Sequence, residues 1–414
     1  MLVEFKITNF RSIRDTQTLS MVSGTGAELP QNACPSGIDP DLHLVRSAVI
    51  YGPNAGGKSN LIRALSFMCG IVLFSAKESQ KGEKIPVENF LFDKESRHKP
   101  SEFEVTFIAE NIRYQYGFIV DKNRIYEEWL LAYPFGRPQE WFSRKYDKKT
   151  DKYEWKFSKF FKVHKQVVDL TRADVLFLSN AVKLNNKQLF PVFDWFQKGL
   201  IIIRPSTEYS YEKSIELLKT SEGKNQLMKY LNIADPSIAD ISLELDNFLE
   251  DKLPKEIPQT IKELIRKQMV DDEKINLIHA ENVTLSLEDE SDGTRKFISF
   301  AGRWIDALKC GRVMVVDELD NSLHPLAVRF LVSLINNPEA NKKNAQLIFS
   351  THDTTQLDNE LFRRDQVWFV EKDKNNATQL YPLLDFSPRI NEAIGKGYLQ
   401  GRYGALPYVG EWRF

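Results

Sequence analysis

The sequence predicts an α/β fold: a mixed β-sheet core with an antiparallel β lobe, interrupted by an inserted, mainly helical lobe. Three observations carry this expectation. A continuous apolar run at 48–51 feeds a glycine-rich loop at 52–59, and helical periodicity follows over 60–74. Short alternating segments over 103–131, broken by the turn Asp121-Lys122-Asn123-Arg124, read as antiparallel strands. Apolar strands at 313–316, 347–349 and 367–370 then alternate with helices, so distant parts of the chain complete one parallel sheet.

Taken in order, residues 2–8 set Leu2, Glu4, Lys6 and Thr8 against Val3, Phe5 and Ile7, the period of a half-buried strand, and Asn9-Phe10-Arg11-Ser12 reads as a turn. A second strand is expected at 18–22, then a loop rich in Gly, Pro and Asp over 23–40. Residues 150–275 are lysine-rich, with helical patterns at 208–219 and 257–269 and with prolines at 205, 236, 254 and 258. Their segments are too short and too often interrupted for long heptad arms. A strand at 283–287 precedes an apolar-periodic helix carrying Phe297, Phe300, Ala301, Trp304 and Leu308. The expected division is 1–149, 150–275 and 276–414, with the outer two parts forming one head.

Hydrophobic residues at 42% and charged residues at 27% suffice for a sizeable core and argue against disorder. A formal net charge of −1 gives the whole chain no basic excess for nucleic acid, although a local groove remains open. Cys34, Cys69 and Cys310 form no Cys-x-x-Cys pair, against a disulfide framework or a zinc site. With no signal sequence at the start and an apolar stretch at 67–74 too short for a bilayer, a cytoplasmic protein without a membrane partner is expected.

Gly52-Pro53-Asn54-Ala55-Gly56-Gly57-Lys58-Ser59 matches G-x-x-x-x-G-K-[ST] in full. Its glycines let backbone N–H groups wrap phosphates, Lys58 reaches the β and γ phosphates, and Ser59 can hold Mg²⁺; Asn60 opens the helix that adds its positive end. Val313-Met314-Val315-Val316-Asp317-Glu318 ends an apolar strand in two acids, Asp317 for the Mg²⁺ shell and Glu318 to polarise an attacking water. Glu290-Ser291-Asp292-Gly293-Thr294 lies at a helix start, where Ser291 and Gly293 form a second anion-binding cap. One phosphate loop needs one nucleotide, so the second cap is expected to serve a partner subunit's; a plain N-cap is the competing reading. Leu319-Asp320-Asn321-Ser322-Leu323-His324-Pro325 follows the acids directly, and Ser350-Thr351-His352-Asp353 would place His352 near the γ-phosphate as a hydrogen-bonding switch.

With these residues in hand, the chain resembles an ABC-type ATPase of the RecF, SMC and OLD branch. Asn9-Phe10-Arg11-Ser12 resembles the branch's N-terminal motif, which makes Arg11 a nucleotide-contact candidate. Ser291-Asp292-Gly293-Thr294 resembles its divergent signature, Asp320 its D-loop and His352 its switch histidine. Asp292 before Gly293 departs from the usual Leu-Ser-Gly-Gly-Gln, and Gln115 is the candidate for the Q-loop glutamine. The resemblance implies ATP and Mg²⁺ as cofactors and a homodimer in which each ATP lies between the phosphate loop of one subunit and the signature of the other. Asp365-Gln366-Val367-Trp368-Phe369-Val370-Glu371-Lys372 and Tyr398-Leu399-Gln400-Gly401-Arg402-Tyr403-Gly404-Ala405-Leu406-Pro407 resemble AAA15-type ATPases of Rlo and AbiL phage-defence systems. That implies a regulator of a separately encoded toxin or nuclease effector; packing of the aromatic tail on the core is the plain alternative. No His-Asn-His cluster or zinc-ligand spacing suggests a nuclease within the chain. A second expectation is a RecF-like DNA-maintenance ATPase whose lysines 145, 148, 149, 152, 156, 159, 162 and 165 line a DNA groove.

Overall fold

A computed structural model describes residues 1–77, 82–205, 209–245 and 273–406. The helix expected at 257–269 lies outside the described residues. The chain divides into two compact units, one of Met1–Pro205, Ala307–Asp320 and Arg329–Phe414, the other of Ser206–Asp306 and Asn321–Val328.

The first unit contains two large sheets. One has seven antiparallel strands in the order Lys152–Phe157, Gln139–Asp147, Ile125–Tyr133, Ile112–Val120, Ser101–Ala109, Leu2–Thr8, Gln17–Ser20. The other has six, in the order Leu200–Ile203, Val313–Val316, Gln346–Ser350, Ser47–Tyr51, Val367–Lys372, Thr378–Pro382. Its first five strands run parallel and the last turns back. The parallel strands are wholly or largely apolar, as strands covered on both faces must be.

The helix Lys58–Phe74 buries Leu61, Ile62, Leu65, Met68 and Val72. Phe67 on the same helix lies 5.6 Å from Phe10 and 4.9 Å from Phe103, ring centre to ring centre, so the antiparallel sheet packs against the helix that follows the glycine-rich loop. A charged pair is sealed in this core. Arg144 and Glu128 meet at 2.9 Å with both side chains fully buried. Glu128 also accepts from Tyr116 Oη and from the N–H groups of Phe177 and Leu178, at the start of the helix Phe177–Lys183. A carboxylate at a helix N-terminus satisfies donors that have no partner within the helix.

Strands of the first unit, and of the second unit's sheet, lie where the sequence suggested helical insertion. Lys152–Phe157 alternates exposed Lys152, Glu154 and Lys156 with half-buried Tyr153, Trp155 and Phe157, the period of an edge strand behind a lysine-rich composition. Leu200–Ile203 pairs with the acidic strand and closes the parallel sheet. The second strand ends at Ser20, two residues early; Met21 N–H still donates to Val3 O, and Val22 turns away to bridge Leu44. The stretch 23–40, expected to be loop, holds a 3-10 turn and the short strand Ala33–Pro35, paired with His43–Val45.

The second unit contains the helices Glu212–Leu218 and Ser221–Ala234, the latter capped by Thr220. It also holds an antiparallel sheet of Ile238–Leu245, Glu273–His279 and Thr284–Ser286, and the start of the helix Asp292–Cys310. Among the described residues no helix is long and apolar enough to cross a membrane.

Candidate functional site

Parallel pairing sets three loops side by side. Val316 pairs with Phe349, and Ser350 with Ile50, so the segments following the strands Val313–Val316, Gln346–Ser350 and Ser47–Tyr51 emerge at one edge of the sheet. Ligands of open parallel sheets bind in such a crevice beyond the carboxyl ends of the strands. Here it is a cavity of about 220 Å³ lined by Pro53, Asn54, Ala55, Gly57, Lys58, Ser59, Asn60, Arg63, Glu318 and His352.

The glycine-rich loop is folded by its own residues. Gly56 N–H donates to Pro53 O at 3.0 Å, and Gly57, at φ +121°, precedes the helix as a residue with a side chain rarely could. A Cβ at Gly57 would also lie 2.2 Å from Thr378 Oγ1. Lys58 is buried, and its ammonium donates to the carbonyls of Gly52 and Pro53 at 2.7 and 3.2 Å. Burial pushes its pKa below the ordinary lysine range, against the opposing pull of Asp317, Glu318 and Asp320. The carboxylates are therefore near enough to act on the same cation.

Ser350 holds the acidic strand end. Its hydroxyl donates to Asp317 Oδ1 at 2.6 Å and accepts the Glu318 N–H at 2.8 Å, while its carbonyl accepts the Leu319 N–H at 3.1 Å. Glu318 has φ +55°, a left-handed conformation that a residue with a side chain keeps only when its surroundings hold it. The Asp320 carboxylate in turn accepts the His352 N–H at 3.2 Å. The His352 ring stays exposed at the cavity wall.

The N-terminal turn meets this loop through Ser12. Ser12 Oγ accepts from Asn60 Nδ2 at 2.7 Å and shares a hydrogen bond with Thr378 Oγ1 at 2.8 Å; Thr378 Oγ1 donates to Gly56 O at 2.9 Å. Arg11 is turned to Glu88, which it meets at 2.6 Å, and is not among the residues lining the cavity. Gln115 sits within the strand Ile112–Val120 and accepts from Tyr133 Oη at 2.9 Å, so it lies in no loop.

Ser291 and Gly293 belong to the second unit. Ser291 Oγ accepts the Thr294 N–H at 3.1 Å, the N-cap bond of the helix Asp292–Cys310. A Cβ on Gly293 would lie 3.1 Å from Ser322 O, and Lys296 donates to Asn321 O, so the segment after Asp320 rests against this helix start. Glu290, just before Ser291, is held by His279 Nε2 at 2.6 Å.

Sequence reading missed Thr378 and Arg63 as parts of this site, and took Ser12 and Ser350 only as members of motifs whose roles it gave to Arg11 and His352. Arg63 had a usable signal, four residues after Ser59 on one helix face. Thr378 had none, because its approach to Gly56 is a matter of strand pairing.

Among the solved structures that resemble the chain are three SMC heads. The SMC head domain from Thermotoga maritima is 12% identical, with 92% of this chain and 98% of that one covered and a TM-score of 0.41. An SmcHead bound to the C-winged helix domain of ScpA is 12% identical, with 92% and 97% covered and a TM-score of 0.44. An Smc head domain with an extended coiled coil, bound to the C-terminal domain of ScpA derived from Pyrococcus furiosus, is 13% identical, with 92% and 95% covered and a TM-score of 0.43. No curated protein matches. The family described as "AAA domain, putative AbiEii toxin, Type IV TA system" matches residues 47–358, from the glycine-rich loop's strand to beyond His352. That span is well over half of the chain, which belongs to this family of AAA domains.

Proposed function

We propose that the chain binds ATP with Mg²⁺ and hydrolyses it in a homodimer, and that this cycle regulates a separately encoded effector in antiphage defence. The observation that carries the hydrolytic part is the single cavity wall shared by the loop 53–60, Glu318 and His352. The residues fit the nucleotide and its metal. Mg²⁺ takes few protein oxygens and keeps its waters, and the Ser59 hydroxyl with the Asp317 carboxylate is such a donor set. When bound, the ion neutralises charge on the β and γ phosphates.

The chain's own groups do the rest. Backbone N–H groups at the start of the helix Lys58–Phe74 lack partners within the helix and serve as phosphate donors. Lys58 exchanges the loop carbonyls for phosphate oxygens, Glu318 orients the attacking water, and His352 donates toward the γ-phosphate. Ser291 and Gly293, with the positive end of their helix, would complete the site from the partner subunit, and Asp320 would stand between the paired sites. ATP favours the closed dimer only by the extra affinity of the completed site over the half-site. The family's description, which names a putative toxin of a Type IV toxin–antitoxin system, supports the defence part of this reading.

The test is ATPase activity and dimerisation of purified protein. Lys58→Ala should abolish ATP binding, and Glu318→Gln should slow turnover and accumulate an ATP-bound dimer. Steady-state hydrolysis at the wild-type rate in both variants would overturn the assignment. The competing DNA-maintenance reading draws on lysines 145, 148, 149, 152, 156, 159, 162 and 165, all solvent-exposed. ATP hydrolysis stimulated by DNA and weakened by salt would favour it over the effector reading.

A further inference from the structure

We infer that the C-terminal segment 390–406 is a brace that fixes the His352 turn, with Tyr51 and Tyr398 as its positioning residues. The inference rests on the reading of His352 as part of the hydrolytic site. Tyr51, the residue before the glycine-rich loop, is buried, and its hydroxyl donates to the carbonyl of Asp353 at 3.0 Å. His352 and Asp353 are thus pinned from two sides, by Asp320 at the His352 N–H and by Tyr51 at the next carbonyl. Asp353 itself closes the turn that follows, accepting from Thr355 N–H at 2.9 Å and from Gln356 Nε2 at 2.9 Å.

The C-terminal segment backs both the tyrosine and the turn. The Tyr398 ring lies 5.8 Å from that of Tyr51 and stacks on Phe369 at 5.3 Å; Tyr403 stacks on Phe369 at 5.7 Å. Phe369 is the strand partner of Tyr51, so one aromatic column supports the strand end that carries the loop. The column is locked by hydrogen bonds from Tyr398 Oη to Ala405 O and from Tyr381 Oη to Tyr403 O, each 3.0 Å, and from Ala405 N to Glu371 Oε2 at 2.8 Å. At the turn, Asn359 Nδ2 donates to the carbonyls of Ile390 and Glu392. Gly395 comes so close that a Cβ would lie 3.0 Å from Leu357 O and 3.5 Å from Thr354 O. Inert packing would need none of these contacts to converge on the residues after His352. The aromatic tail therefore carries a positional role in turnover.

The experiment compares Tyr51→Phe, Tyr398→Ala and Gly395→Ala with the wild type, alone and combined with His352→Ala. Tyr51→Phe keeps the ring and the fold and removes one hydrogen bond. It should lower kcat about fivefold while KM for ATP stays unchanged. Added to His352→Ala, the same change should do nothing more, because its effect passes through the histidine. A multiplicative loss in the double variant, a rise in KM alone, or unchanged kcat would overturn the brace. A wild type that fails to hydrolyse ATP would remove the hydrolytic reading instead. The brace then stands or falls on amide hydrogen exchange over 352–357: faster in Tyr398→Ala and Gly395→Ala at unchanged global stability supports it, and wild-type rates refute it.

Discussion

Replacing Ser350 with Ala tests how the acidic strand end is held. Ser350 is fully buried and supports three consecutive residues: its hydroxyl serves the Asp317 carboxylate at 2.6 Å and the Glu318 N–H at 2.8 Å, and its carbonyl serves Leu319. Alanine keeps only the last contact. A hydrogen bond to a carboxylate contributes about 1.5–3 kcal/mol and a neutral one about 0.5–1.5 kcal/mol, so the loss is about 2–4.5 kcal/mol. Glu318 at φ +55° then lacks the acceptor that holds its N–H, and its carboxylate drifts from the position that orients water. If about 2 kcal/mol of this falls on the transition state, phosphate release under single-turnover conditions slows about 30-fold. The remainder lowers the midpoint of urea unfolding. Nucleotide affinity measured in EDTA should stay at the wild-type level, because the hydrogen bonds of this hydroxyl go to Asp317 and Glu318 and not to the loop 52–59. Turnover within twofold of wild type together with an unchanged unfolding midpoint would refute the reasoning.

Other perturbations separate the remaining contributions. Gly57→Ala puts a methyl 2.2 Å from Thr378 Oγ1 at a φ of +121°, so it should weaken binding of a fluorescent ATP analogue by at least about tenfold; tight binding would mean the loop tolerates a different path. Arg144→Met leaves the Glu128 carboxylate buried without its cation and should cost about 3–5 kcal/mol in chemical unfolding, whereas Arg144→Met with Glu128→Gln should recover part of it. Equal losses in the single and double variants would argue against an uncompensated charge as the cause. Hydrogen bonds from Tyr403 and then Arg402 hold the Glu392 pKa at about 2, below its ordinary 4.5. Because the folded value is the lower one, the stabilisation is complete above about pH 4.5 and disappears as pH falls toward 2. Proteolysis of the segment 390–406 by an acid-active protease should therefore quicken across that window, and Glu392→Gln should remove the pH dependence.

Much of the candidate site was legible because its geometry is local. Glycine at 57, the apolar run before Gly52 and the acids after Val316 each state their conformation within a few residues, and the structure places all three at one crevice. Lysine content misled at 152–157, where a period-two alternation identifies the edge strand better than composition does. Gln115 was chosen by residue type alone, and its strand environment gives it Tyr133 as a partner. Ser12 and Ser350 stood inside quoted motifs whose roles went to Arg11 and His352, and Thr378 carried no signal, since it is an ordinary hydroxyl residue made specific by what stands opposite it.

The sequence by itself determined the phosphate loop, the acidic strand end and the helix cap at Ser291, because short-range backbone preferences and hydrogen-bonding side chains encode them. Only the tertiary structure decided that Ser350 would hold Asp317 and Glu318, that Thr378 would close against Gly56, and that Tyr398 would back Tyr51. Those contacts join residues far apart in the chain, through a strand order in which Ser47–Tyr51 lies between Gln346–Ser350 and Val367–Lys372. Sheet register and side-chain packing select such neighbours through space, and no periodicity along the chain records that selection.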